Sequence, residues 1–258
     1  LHIAVDLNEA WEAAETGSKL LTGTIVVRRE FAEANPAAVE AFLTEYRAST
    51  SYVNENVAVA AQLVEKYGIA TVRIDFMGSG DSTADYTGYT FESAVSDAVA
   101  AANYAKTLEQ IDGEHIGVMG WSQGGTDALL CAARAADVFT SVVTWAGAPD
   151  LSDMLTDELY EQAKANGYFV MDFDWREPLN VSLQWCEDVK NTDVLGEFEA
   201  GYTGPVLAIA GKEDTTVDPE WSNKIVTASK NPASKTCFIE GMDHTFNVFA
   251  EEDLHSLY

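Results

Sequence analysis

From residue 69 onward, short runs rich in β-branched residues alternate with stretches of helical character: "IATVRIDF", "FESAVSDAVAAANYAKTLEQ", "HIGVMG", "GGTDALLCAARAA" and "TSVVTWAG" follow one another directly. A helix between two strands carries the chain back over the sheet, so that the second strand lies parallel to the first. The expected fold is therefore α/β, a mostly parallel sheet with crossover helices. The pattern stops at about residue 150 and resumes near 202 with "PVLAIAG", "PEWSNKIVTAS" and "KTCFIEG". The segment between reads as an insertion over one sheet edge. Residues 1–68 read differently. There "GTIVVRR" predicts a strand, and Asn35-Pro36 opens a helix with Val39, Phe42, Leu43 and Tyr46 at i, i+3, i+4 and i+7. A second helix runs to Lys66 and stops at Gly68.

Composition removes several function classes. Fifteen basic against 42 acidic residues give a net charge of −27. Such a surface repels a phosphate backbone, which excludes nucleic acid as partner and disfavours strongly anionic substrates. The apolar runs fall far short of the roughly 20 residues needed to span a bilayer. Cys131, Cys186 and Cys237 show no paired or CxxC spacing and suit reduced thiols. No basic-then-apolar leader opens the sequence at Leu1, so an export signal has been removed or was never part of this fragment, and the compartment stays open with the cytoplasm favoured.

The chemistry concentrates at "MGWSQGGTDALL", residues 119–130, where a G-x-S-x-G pattern lies between a predicted strand and a predicted helix. That context suits a serine on a cramped strand-to-helix turn, with Gly120 and Gly124 expected where side chains would collide with backbone. Ser122 would need a histidine to take its proton and a carboxylate to orient that histidine. Of the four histidines, His2 is terminal, His115 begins the serine's strand at the wrong end, and His255 lies in a charged terminal stretch. His244, on the loop after "KTCFIE", is the candidate base. Asp214, on the loop after "VLAIAG", is the candidate acid at the same sheet edge. Its rival Asp218 precedes Pro219 and suits a helix cap, and Asp243 should point away from the neighbouring imidazole. This chemistry calls for no metal and no cofactor.

"DFMGSGD", residues 75–81, lacks the third glycine and helix start of a phosphate loop and reads as a tight turn lining the pocket. The insertion carries Tyr160, Tyr168, Phe169, Phe173, Trp175 and Trp185. They either form an apolar lid over an acyl or aromatic group or pack the insertion onto the sheet. Trp121, Phe173 and Trp175 are the candidate substrate contacts.

Together "VRIDFMGSGDS", "VMGWSQGG", "LAIAGKEDTTVDP" and "FIEGMDHTF" resemble the α/β-hydrolase superfamily, in its serine esterase and serine-aminopeptidase-like branch near the cinnamoyl and feruloyl esterases. The resemblance covers residue 69 to the end, with the insertion as its lid. It implies Ser122 as nucleophile, Asp214 as acid, His244 as base and the Gln123 N–H as one oxyanion donor. The implied reaction is hydrolysis of a small-molecule carboxylic ester through an acyl-enzyme. Members of that superfamily carry further strands before "TVRIDFMG", and an "HG" loop whose following N–H completes the oxyanion hole. This sequence contains no "HG". Losing one such donor typically costs about 10² to 10³ in rate. Residues 1–68, with their "ANP" helix start and paired helices, resemble instead part of ABC-transporter solute-binding proteins of the nitrate/sulfonate/taurine type. The seam is expected at Gly68 to Thr71. Two alternatives stay open beside the esterase: a binding protein of the solute-uptake type, and a hydrolase remnant with impaired catalysis.

Overall fold

A computed structural model of the protein describes residues 69–72, 74–80, 82–109, 111–173 and 177–247. The chain divides into two compact units, Leu1–Thr71 and Val72–Tyr258, and every element below belongs to the second. The elements expected within residues 1–68 lie outside the described residues.

Among the described residues four strands build the main sheet: β1 (Gly117–Trp121), β2 (Ser141–Trp145), β5 (Val206–Gly211) and β6 (Lys235–Ile239), in that spatial order. All three pairings are parallel, with Trp121 opposite Trp145, Trp145 opposite Ile209, and Gly211 opposite Ile239. This register brings the carboxyl ends of the strands to one edge, where open α/β sheets present their sites. Helix α2 (Gln123–Arg134) returns from β1 to β2, and α6 (Glu220–Ser229) from β5 to β6. Every residue of α2 from Gly125 to Ala132 is buried. A helix enclosed on all sides cannot shift without disturbing the core around it, so its first turn is a rigid base for a site. Helix α1 (Phe91–Ala105) is fixed at its start by a reciprocal cap, with Thr90 Oγ1 accepting from the Ser93 N–H and Ser93 Oγ from the Thr90 N–H.

The insertion between β2 and β5 contains α3 (Asp157–Asn166), the antiparallel hairpin of β3 (Tyr168–Met171) with β4 (Leu179–Ser182), then α4 (Leu183–Asn191) and α5 (Val194–Gly201). Gly167 ends α3 at φ 85°, a left-handed conformation that costs glycine little. Phe169 and Trp185 are nearly fully buried and belong to the main core with Phe198 of α5. Burying rings of this size stabilises the fold by about 2 to 3 kcal/mol each. These two rings therefore pack the insertion onto the core and do not roof a pocket. Tyr160 donates its hydroxyl to Glu187 across 2.6 Å, Tyr168 is exposed, and Phe173 is half-buried. Trp175 lies outside the described residues.

One expected strand is not found. The described residues of 69–76 form no strand, and Ile69 and Val72 are more than half exposed. The β-propensity of "IATVRIDF" reflects fit to a pleated, half-buried surface, and without a neighbouring ladder among the described residues that preference forms no strand. Cys131 and Cys186 are buried free thiols, and Cys237 is an exposed one. No helix among the described residues is long and apolar enough to cross a membrane.

Candidate active site

Ser122 sits at the turn between β1 and α2 with φ 55° and ψ −122°, a combination strongly disfavoured for a residue with a side chain. Its backbone is held from three directions. The Ser122 N–H donates to Trp145 C=O at 3.0 Å, and its carbonyl accepts from the N–H groups of Gly125 at 2.9 Å and Ala148 at 3.0 Å. Strain so restrained persists, and it lifts the hydroxyl clear of the strand end. Gly120 is required here, because a Cβ would lie 1.7 Å from the Gly124 carbonyl oxygen. The same expectation fails for Gly124, whose added Cβ would meet nothing within 4 Å. The second crowded position is Gly125, where a Cβ would approach Gly147 Cα at 2.5 Å. The turn folds the start of α2 back on the strand end, so its tight contact with the loop after β2 falls one residue later than the motif spacing implies.

The loops after β5 and β6 bring two further side chains to this edge. His244 Nε2 lies 2.9 Å from Ser122 Oγ, and His244 Nδ1 lies 2.8 Å from Asp214 Oδ2. The Asp214 carboxylate is fully enclosed and the imidazole is largely so. Asp214 Oδ1 accepts the N–H groups of Thr216 and Val217, each at 2.9 Å, which ties the carboxylate to its own loop and leaves Oδ2 to the imidazole. With a carboxylate at Nδ1, that nitrogen carries the proton and Nε2 accepts from the serine hydroxyl. Asp218 accepts from the Glu220 N–H at the start of α6. Asp243 Oδ1 accepts from the Thr245 and Asn247 N–H groups instead of meeting the imidazole. The Asn247 bond leads the causes that hold the Asp243 carboxyl below its ordinary range. His115 is exposed beside Asp112, and His2 and His255 lie outside the described residues.

Trp121, expected to bound the substrate pocket, has a role that its position in the motif does not reveal. Its indole Nε1 donates to the His244 carbonyl at 3.1 Å, and the two rings lie 5.3 Å apart at 33°. The residue before the serine thus holds the loop that carries the histidine. A second feature missed in the sequence lies behind the elbow. The Tyr89 hydroxyl donates to Asp127 Oδ2 at 2.6 Å and accepts from Gln123 Nε2 at 3.1 Å. Both Tyr89 and Asp127 are buried, and Asp127 Oδ1 has no partner. No composition or spacing signal joins residues 89 and 127.

Burial pushes the Asp127 carboxyl up to about 7, with the Tyr89 hydrogen bond acting in the opposite direction. The folded protein therefore holds this proton at pH values where the unfolded chain, near 3.9, has released it. The resulting stabilisation is full below about pH 4 and is lost as pH rises through 7. Asp127→Asn removes that loss. Between pH 4 and 7 the variant should gain on the wild type by an amount on the order of a few kcal/mol, measured as urea midpoints across the range. Parallel profiles for the two proteins would show that Asp127 is ionised throughout.

Among the described residues no group of three or more His, Cys, Asp or Glu side chains could hold a metal ion. A parallel α/β sheet with a strained serine at the end of a strand, an imidazole against it and a carboxylate behind defines a serine hydrolase of the α/β-hydrolase type. Residues 55–252 match the prolyl oligopeptidase family, and the chain belongs to it. That match takes in "ENVAVAAQLVEKYG", residues 55–68, which the sequence reading grouped with the solute-binding likeness. Nothing in the comparisons supports that likeness. The fold is similar to that of Est1E from Butyrivibrio proteoclasticus with ferulic acid bound, at 24% identity and TM-score 0.57 over 72% of this chain and 74% of that one. It is similar also to a hydrolase from Agrobacterium vitis S4, at 22% identity and TM-score 0.54 over 72% and 73% of the two chains. A monoacylglycerol lipase from Paleococcus ferrophilus matches at 16% identity and TM-score 0.51 over 66% and 72%. No curated protein matches the sequence.

Proposed function

We propose that this chain hydrolyses carboxylic esters of small or aromatic acids through an acyl-enzyme on Ser122. The observation that carries the reading is the unbroken chain from Ser122 Oγ to His244 Nε2 at 2.9 Å and from His244 Nδ1 to Asp214 Oδ2 at 2.8 Å. In this mechanism His244 takes the hydroxyl proton as Ser122 Oγ attacks the ester carbonyl, and Asp214 stabilises the imidazolium that forms. The proton passes to the departing alkoxide. Water then repeats the sequence in reverse and releases the acid. The Gln123 N–H, at the first position of α2, has no acceptor within the helix and faces the developing oxyanion with the favourable end of the helix dipole. Ferulic acid in the similar Est1E structure favours an aromatic acyl group. Trp121, and Phe173 and Trp175 of the insertion, are the side chains proposed to bound it.

The family name favours a second reading, cleavage of a peptide amide. Comparing a p-nitrophenyl ester with the p-nitroanilide of the same acid separates the two: faster turnover of the anilide would make the chain a peptidase. A fluorophosphonate probe tests the nucleophile directly. Covalent labelling mapped to Ser122 is the expected result, and a chain left unlabelled would favour a binding protein or an inert remnant. Trp121→Phe keeps an aromatic ring against His244 but removes the bond to its carbonyl. A hydrogen bond of ordinary worth, about 1 kcal/mol, predicts a fall of roughly fivefold in kcat toward p-nitrophenyl acetate. An unchanged kcat would show that the histidine loop holds its place without the indole.

A further inference from the structure

We propose, on the basis of the hydrolase reading above, that Tyr89 is a positioning residue for the oxyanion donor, fixing Gln123 against Asp127 so that the Gln123 N–H holds its aim. Gln123 and Asp127 stand four residues apart on α2 and so share one face of its first two turns. The Tyr89 hydroxyl reaches between them. Its proton goes to Asp127 Oδ2 across 2.6 Å, which leaves the phenol oxygen to accept from the Gln123 amide at 3.1 Å. The chain runs from amide to phenol and from phenol to Asp127 Oδ2.

Tyr89 is itself held firmly. It closes the 3-10 turn Tyr86–Gly88 by an N–H bond of 2.9 Å to the Tyr86 carbonyl, and it directly precedes Thr90, the N-cap of α1. Its ring stacks on Tyr86 at 5.4 Å and meets the edge of Phe76 at 5.9 Å. The brace therefore joins the "DFMGSGD" turn, the start of α1 and the first turn of the serine's helix. A buried carboxyl group whose Oδ1 finds no partner among the described residues destabilises a fold, so simple packing would be served better by an apolar pair. What the polar chain supplies is direction. It holds the side chain of the one residue whose backbone N–H stands beside Ser122 at the unpaired end of the helix.

The test compares p-nitrophenyl acetate with its thionoester, in which sulfur replaces the carbonyl oxygen. Donors set at oxygen distance serve a larger, weakly accepting sulfur poorly, so misaiming a donor slows the oxygen ester and leaves the thionoester almost untouched. Tyr89→Phe should lower kcat for the oxygen ester about tenfold at nearly constant KM, and the ratio of the two esters' kcat values should fall by the same factor. Gln123→Met, which keeps the backbone N–H and removes the amide, should give the same fall, and the double variant no more than either. If Tyr89→Phe does not fold, the Gln123→Met ratio decides alone. Rates that fall in parallel for the two esters, or do not fall, overturn the proposal while leaving the hydrolase reading intact. A wild-type chain inert to the phosphonate and to both esters overturns that reading and this inference with it.

Discussion

Ser122→Ala is expected to lower the hydrolysis of p-nitrophenyl acetate by at least about 10³-fold and to abolish fluorophosphonate labelling, with the melting curve unchanged. The alanine lacks only the hydroxyl that faces His244 Nε2, while the backbone bonds that hold the turn at φ 55° remain. His244→Ala should cost nearly as much, and the pair little more than either alone, because in the proposed mechanism the two side chains act as a unit. The same assay, extended to ethyl acetate, reads the oxyanion hole. The sequence contains no "HG", and the expectation tested is that the Gln123 N–H is the only donor. An intermediate held by the Gln123 N–H alone is under-stabilised by about 3 to 4 kcal/mol. p-Nitrophenyl acetate, whose leaving group departs readily, should then turn over slowly, and ethyl acetate should be nearly inert. Brisk cleavage of both would mean that a further residue supplies the second donor, and equal rates for wild type and Ser122→Ala would end the nucleophile assignment.

That the structure would bring Ser122, His244 and Asp214 together was legible in the sequence wherever placement follows chain order. Ser122 stands out because a strand runs into the motif and a helix leaves it, and both are found, as β1 and α2. His244 and Asp214 stand out because each follows a predicted strand at its carboxyl end, and parallel strands put all such ends on one edge. What depends on contacts between distant segments was not legible. Tyr89 and Asp127 are 38 residues apart with no motif to join them. The Trp121 indole reaches a carbonyl 123 residues away. The strand expected at 69–76 failed for a related reason, since local propensity does not carry information about a partner strand.

The elbow offers the sharpest separation between motif and geometry, since its two glycines should differ greatly in their tolerance of a methyl group. At Gly120 an added Cβ meets the carbonyl oxygen of Gly124 at 1.7 Å and its carbonyl carbon at 2.1 Å, and both are backbone atoms that no rotamer change can move. Relief would require the first turn of α2 to lift from β1, which the burial of Gly125 to Ala132 resists. Gly120→Ala should therefore destabilise the protein by at least about 3 kcal/mol. For a chain of this size that is a fall of roughly 6 to 12 °C in Tm, and the Ser122 hydroxyl should lose its alignment with His244 in any fraction that still folds. Gly125→Ala should follow, because its Cβ approaches Gly147 Cα at 2.5 Å, a less severe overlap than that at Gly120. Gly124→Ala meets open space within a helix, where alanine is favoured over glycine by about 0.5 to 1 kcal/mol, so stability should hold or rise. Thermal melts of the three variants, with phosphonate labelling of each, give the order. A Gly124→Ala variant as unstable as Gly120→Ala would mean that the two glycines are needed for backbone conformation and not for clearance, and the geometric account of the elbow would have to be abandoned.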